Sequence, residues 1–201
     1  MSNCRFILVQ LQEPIDLKTA SGKEALKLGL KNIAEIGKER IRRVIKKMKD
    51  EAELQQDLFN NRETPEDLGF RVFRLAESNY RQWQGVGDKD GEKYADEMKL
   101  FTDPLLPGWK LEDVIWEVAL KEGYSLSSTI EEQKELKGNQ VWKVTDAERG
   151  QSFHICLDDK LKAATVRALK LGKVDLFVCR DAALTDELAA NLALTCKLKT
   201  I

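Results

Sequence analysis

The chain has 201 residues, 42% of them hydrophobic and 33% charged, with a formal net charge of −1. This is enough for one well-buried core, or one plus a small satellite, and it is the composition of a globular protein rather than a disordered one. The near-neutral balance excludes a generally basic nucleic-acid protein, and no apolar run approaches the roughly 18 residues of a membrane span.

Phe6-Ile-Leu-Val-Gln-Leu11 is a continuous apolar run, ended by Pro14 and too short for a signal-peptide core. Continuous runs of this length fit a strand buried on both faces. Such strands have neighbours on both sides, so one this early points to the tail of something longer. Asp16–Lys31 reads as a loop with a helical turn, Ser21 capping Gly22–Leu28. A long helix follows from Asn32, ending near Asn60-Asn61 with Pro65 beyond. Ile33, Gly37, Ile41, Val44, Ile45, Met48 and Ala52 recur at three- and four-residue steps, which predicts one buried stripe. Its other faces are basic: Lys38, Arg40, Arg42, Arg43, Lys46, Lys47 and Lys49 fall within twelve positions, opposed there only by Glu39. A solvated face supported by Glu39 and Arg43 at i,i+4 is one reading. Contact with nucleic-acid phosphates is the other.

Phe70–Leu75 predicts a strand with incomplete alternation, and Gln84–Gly91 a Gly-rich loop marking a subdomain boundary. Gly85-x-Gly87 has no strand feeding it and so is no dinucleotide loop. Asp88-x-Asp90-Gly91 lacks the other ligands of a calcium loop. Lys93–Phe101 predicts a short helix and Thr102–Gly108 a connector. Leu111, Val114, Ile115 and Val118 then mark an amphipathic helix to Lys121, closed by Gly123, on which Trp116 packs. Thr129–Leu136, Gln140–Thr145 and Ser152–Leu157 read as strands, with turns at Lys137-Gly-Asn139 and Ala147–Gly150. Next come a helix over Lys160–Leu171 capped by Asp158 or Asp159, a strand over Val174–Cys179, a helix from Thr185 to Thr195 and a strand over Lys197–Ile201. Alternation of this length predicts a parallel βαβαβ unit. The only histidine, His154, lies inside a strand and reads as structural. Cys4, Cys156, Cys179 and Cys196 show no CxxC spacing, as expected of reduced thiols in a cytoplasmic protein.

Several blocks also carry a resemblance. Phe6–Pro14, Ile33-Ala-Glu-Ile-Gly-Lys-Glu-Arg-Ile-Arg-Arg43 and Asp67-Leu-Gly-Phe-Arg-Val-Phe-Arg-Leu-Ala-Glu-Ser-Asn79 follow in order, then Phe101-Thr-Asp-Pro104, Glu112–Gly123, Ile155-Cys-Leu-Asp158 and Asn191-Leu-Ala-Leu-Thr195. Together they resemble the C-terminal part of the modification subunits (adenine-N6 DNA methyltransferases) of type III restriction–modification systems. Enzymes of that family carry an Asp-Pro-Pro-Tyr-type catalytic motif and a Phe-x-Gly-x-Gly cofactor loop, and this chain has neither. Asp103-Pro104 is followed by Leu105-Leu106, which supplies no aromatic to stack on a flipped base.

The expected fold is α/β: a tail of a methyltransferase-like domain (partial edge strand, long basic helix, strand) in residues 1–84, a flexible loop at 85–92, and a mixed or parallel βαβαβ C-terminal domain in 93–201. The resemblance implies that Phe6–Leu11 is the strand after which the ribose of S-adenosylmethionine is held, with Gln10 at the ribose side and Glu13 close by. A solvent-facing Glu13 is the plainer reading of that residue. One group of a whole pocket binds cofactor poorly, so no catalytic or metal-ligating residue and no tight S-adenosylmethionine binding is expected of this chain. Arg42, Arg43, Lys46 and Lys47 are the expected DNA contacts. The expected partners are DNA, a second copy in a two-fold dimer formed by the C-terminal half, and a restriction subunit or the rest of the methyltransferase, with no membrane. A free-standing protein- or DNA-binding module is the alternative. An enzyme with an unrecognised pocket is a third, disfavoured by the lack of any clustered nucleophile, base or metal set.

Overall fold

A computed structural model describes residues 6–56, 67–83, 85 and 90–201, with side chains at 54–56 excepted. The predicted helix end near Asn60-Asn61, most of the Gly-rich run and Cys4 lie outside the described residues. The fold is α/β, with a five-stranded mixed sheet and six α-helices among the described residues. It divides into two compact units, residues 1–74 and 75–201.

The first unit holds α1 (Ala20–Lys27) and α2 (Ile33–Gln56). Thr19, not the expected Ser21, caps α1: its Oγ1 accepts from Gly22 N at 3.0 Å. A Cβ at Gly22 would come within 2.0 Å of the Asp16 carbonyl oxygen, so only glycine fits there. At the start of α2 the buried Asn32 accepts from Glu35 N at 2.9 Å, and the Glu35 carboxylate reaches back to Lys31 N at 2.6 Å. This is a reciprocal cap of the capping-box kind.

Two predicted strands of the N-terminal region are not formed. Phe6–Leu11 pairs with no strand among the described residues, and Phe6, Ile7, Leu8, Val9 and Leu11 are all exposed, Val9 to 90%. Phe70–Leu75 is likewise irregular. Apolar β-formers gain their stability from cross-strand neighbours rather than from any intrinsic backbone preference, and neither segment has them. The stripe of α2 is not buried either. Ile41 and Ile45 are half-buried, but Ile33, Val44 and Met48 are exposed. Only Gly22 and Asn32 are buried among the described residues of this unit, which form no apolar core among themselves.

The second unit has α3 (Gly91–Leu100), α4 (Leu111–Lys121), β1 (Thr129–Glu132), β2 (Val141–Asp146), β3 (Gln151–Cys156), α5 (Ala163–Leu169), β4 (Leu176–Cys179), α6 (Asp186–Thr195) and β5 (Lys197–Thr200). The predicted hairpin forms between β1 and β2, Ile130 opposite Val144, with Gly138 at φ +114° in its connection. β2 and β3 are antiparallel; β3, β4 and β5 are parallel, so strand order follows chain order. The Cys156–Cys179 and Phe177–Leu198 pairings fix the register of the parallel half. Asp90 caps α3, and Thr185, expected as the first residue of its helix, caps α6 instead. Neither Asp158 nor Asp159 caps α5, which begins after Lys162 without a side-chain cap. Asp158 instead accepts from Asn139 Nδ2 at 2.8 Å and from Gln140 N at 3.0 Å.

The sheet separates two apolar clusters. On one face Val144, Phe153, Ile155 and Val178 pack on Val114, Ile115, Val118 and Ala119 of α4. On the other, Val141, Cys156, Phe177 and Cys179 pack on Leu161, Leu171 and Leu192 around α5 and α6. α4 thus covers one face of the sheet, and α5 and α6 the other.

Near the start of the second unit, Ser78–Tyr80 is fastened to α4. The Glu117 carboxylate accepts from Ser78 Oγ at 2.5 Å, from Asn79 N at 2.8 Å and from Asn79 Nδ2 at 3.0 Å, and pairs with Lys121 at 2.9 Å. Burial alone would raise its pKa, but these hydrogen bonds outweigh it and bring it down to about 2. Lys121 also lies over the Tyr80 ring, 3.8 Å from its centroid. A carboxyl group lowered from its ordinary 4.5 stabilises the fold above that value and loses the contribution as pH falls toward 2. Glu117→Gln should therefore lower stability at neutral pH by about 2 kcal/mol. It should also flatten the acid side of the unfolding profile between about pH 5 and 2, which denaturant titrations at several pH values would measure.

Candidate nucleic-acid interface

The reciprocal cap and the Ile33 N to Glu13 O bond at 3.1 Å fix where α2 begins. Arg42, Arg43, Lys46 and Lys47 are all exposed. Arg43 Nε pairs with Glu39 at 2.8 Å and Lys47 with Glu51 at 3.7 Å, while Arg42 lies over the Phe70 ring, 6.0 Å from its centroid. Exposed pairs of this kind contribute roughly 0 to 1 kcal/mol, so they hold no cation away from an incoming phosphate. Both readings of the basic face thus find a counterpart, because the i,i+4 pair forms and the cations stay accessible.

The charge of the chain is divided between its units. Residues 1–74 carry 15 Lys and Arg against 12 Asp and Glu, and residues 75–201 carry 18 against 22. The excess of positive charge therefore belongs to the first unit.

Gln10 and Glu13 are exposed on an irregular segment. Glu13 acts through its backbone: its carbonyl receives Ile33 N, and its N–H donates to Leu11 O at 2.9 Å. An open hollow of about 480 Å³ lies elsewhere, lined by residues that include Glu132, Gln133, Asn139 and Asp158. Asn139 beside it has no bonding capacity to spare. Its amide donates to Asp158 and Lys160 O, and its oxygen accepts from Lys162 N and Thr165 Oγ1, each bond 2.8 to 2.9 Å. Asn139 ties the hairpin connection to the start of α5, and the hollow is a surface between fastened segments.

Asp103, in the Asp-Pro pair that imitates the methyltransferase tetrapeptide, is engaged electrostatically. It pairs at 2.9 Å with Arg180, which also binds Asp159. Arg180 follows β4 and Asp159 follows β3, so this node stands where the parallel strands end. A guanidinium held by two carboxylates at such an edge fastens the α3–α4 connection to the sheet. Sequence reasoning missed this node, the Glu117 clasp and the Asn139 hub. The signal for Asn139 was its place in the hairpin connection; Arg180 and Glu117 have partners 77 and 38 to 39 residues away, which no local pattern reveals.

His154 faces Lys143 across β2 and β3, and burial, then Lys143, lowers its pKa from the usual value. It stays neutral at physiological pH, in keeping with a structural role. Burial pushes the Cys156 thiol up to about 11 and the Cys179 thiol to about 12, and raises Cys196 as well. None is a thiolate near neutrality. Among the described residues, no three His, Cys, Asp or Glu side chains are grouped to hold a metal ion.

No protein-family profile, curated protein or solved structure matches the chain.

The thiols give a direct test of this packing. Cys156, Cys179 and Cys196 should react with a thiol reagent at pH 8 at least 100-fold more slowly in the folded protein than in denaturant. Stopped mass spectrometry with site assignment would read this. Rapid labelling of Cys179 without denaturant would contradict the buried second cluster.

Proposed function

We propose that this chain is a non-catalytic part of a DNA adenine methyltransferase assembly of the type III modification kind, contributing subunit contacts and weak, sequence-independent DNA contact. The observation that carries the proposal is the contrast between the two units. The second has apolar clusters on both faces of its sheet, whereas the first presents Phe6–Leu11 and most of the α2 stripe to solvent. A six-residue run that is apolar on both sides is suited to a sheet whose other strands come from outside the described residues. The ordered blocks that resemble modification subunits supply the kind of sheet, a methyltransferase edge. Gln10 and Glu13 then belong to the cofactor side of the completed site and hold S-adenosylmethionine only there.

A partner other than a second copy suits the C-terminal half better. Isologous pairing at the β1 edge would set Glu131 and Glu132 against themselves, and at the β5 edge Lys197 and Lys199. A restriction subunit, or the part of the methyltransferase that bears the catalytic motifs, is the proposed partner. The second reading, a free-standing binding module, draws on the two-sided core of residues 75–201, which needs no other chain.

Two measurements test the proposal. Calorimetry should find no micromolar binding of S-adenosylmethionine to the isolated chain, and no labelled methyl group should reach adenine; either event would overturn the non-catalytic assignment. Duplex DNA should bind weakly and without sequence preference. Neutralising about four phosphates gives a log–log salt slope of about −3 to −4. Reversing Arg42, Arg43, Lys46 and Lys47 to Glu together should abolish this binding while leaving the far-ultraviolet spectrum unchanged. Retained affinity at low salt would return α2 to a merely solvated helix.

A further inference from the structure

A helix of a folded protein ordinarily turns its apolar side inward, and α2 does not. Ile33, Val44 and Met48 are 41%, 51% and 42% exposed, with Gly37 between them and Ile41 and Ile45 half-buried along one margin. The charges are ordered around this stripe. At about 100° per residue, Arg40 and Lys47 border it on one side and Lys38 and Lys49 on the other, with Arg42 one step further out. Glu35, Glu39, Asp50 and Glu53 gather on the opposite side of the helix, with Lys46 and Arg43 among them. Glu51 falls on the stripe itself, at the angle of Ile33 and one turn past Met48's end of it, where it is paired with Lys47.

This placement separates two kinds of polyanion. A nucleic-acid backbone laid along the polar side meets four carboxylates together with the cations and leaves the apolar stripe in water. A phospholipid surface takes the stripe into the acyl boundary. The Lys and Arg stems then lie along its margins with their charges at phosphate level, and Glu35, Glu39, Asp50 and Glu53 stay on the far side of the helix. At 24 residues the helix is about 36 Å long, enough to lie flat and bring its marginal cations into one headgroup layer. No described helix is long and apolar enough to cross a membrane, so the contact is one of lying on the surface.

We propose that α2 is an interfacial helix that seats its Ile33–Val44–Met48 side in an anionic phospholipid surface. This goes beyond the assembly and DNA reading, and it uses the apolar side of the helix rather than its polar side. The test is flotation of the intact chain with vesicles of about 70% phosphatidylcholine and 30% phosphatidylserine, and with pure phosphatidylcholine, at low and at physiological salt. Partitioning should favour the anionic vesicles at least tenfold and weaken with salt. The variant Val44→Gln/Met48→Gln keeps the helix-forming tendency and every charge, and it should lose about tenfold in partitioning while binding duplex DNA as the native chain does. Circular dichroism establishes that the variant is folded; if it is not, Val44→Ala/Met48→Ala takes its place, with the same loss expected. The proposal is overturned if the chain does not float with anionic vesicles at low salt, or if the folded variant floats as the native chain does. A native chain that floats with anionic vesicles but does not bind duplex DNA would remove the DNA reading and leave this one standing.

Discussion

The second unit depends on β3 being buried on both faces. Phe153 and Ile155 are fully buried against α4, and Cys156 on the alternate side is buried among residues packed by α5 and α6. β3 is also where the antiparallel hairpin meets the parallel strands. One strand therefore aligns two kinds of ladder and two apolar layers, and a slip of one residue would exchange those layers. The polar fastenings work around this strand. Asp158 just past its end holds the hairpin connection, Asp159 holds Arg180, and Asp146 at the end of β2 accepts from Ser125 N at 2.8 Å.

The same arrangement explains which parts of the fold were legible. From Gly91 onward each predicted element is present in the predicted order, because local pattern and tertiary environment agree there. Val141–Asp146 is buried in part on both sides, Val144 meeting α4 and Val141 the cluster around α5 and α6. Leu176–Cys179 is continuous because both sides meet helices. Boundaries moved where a polar side chain had a stronger claim elsewhere. Asp158 was free to cap a helix by sequence and is taken by Asn139 and Gln140, so α5 starts later than expected.

In the first unit the pattern was read correctly and its consequence was not. Phe6–Leu11 is as apolar as a buried strand, and α2 carries a stripe with helical period, yet burial is a property of a pair of surfaces. A sequence shows one member of the pair. The candidate interface has the same limit: the run of cations on α2 is plain in the sequence, whereas their order around the helix emerges only when exposed and half-buried sides are told apart. The Arg180 and Glu117 nodes were hidden for the complementary reason, since each joins segments far apart in the chain.

That the strands lie side by side in the order they are made bears on how this unit folds. β1, β2 and β3 meet through short connections, and each parallel strand joins its predecessor after a single helix, so no strand waits for a distant segment to arrive. Loop-closure entropy then accrues in small steps, which favours rapid, sequential growth outward from the β2–β3 pair. The long-range ties come last in such a sequence. Arg180 reaches Asp103 across 77 residues and Lys199 reaches Glu122 across the same interval, so both can close only when β4 and β5 are in place. These two ion pairs tie the end of the sheet to the segments on either side of α4.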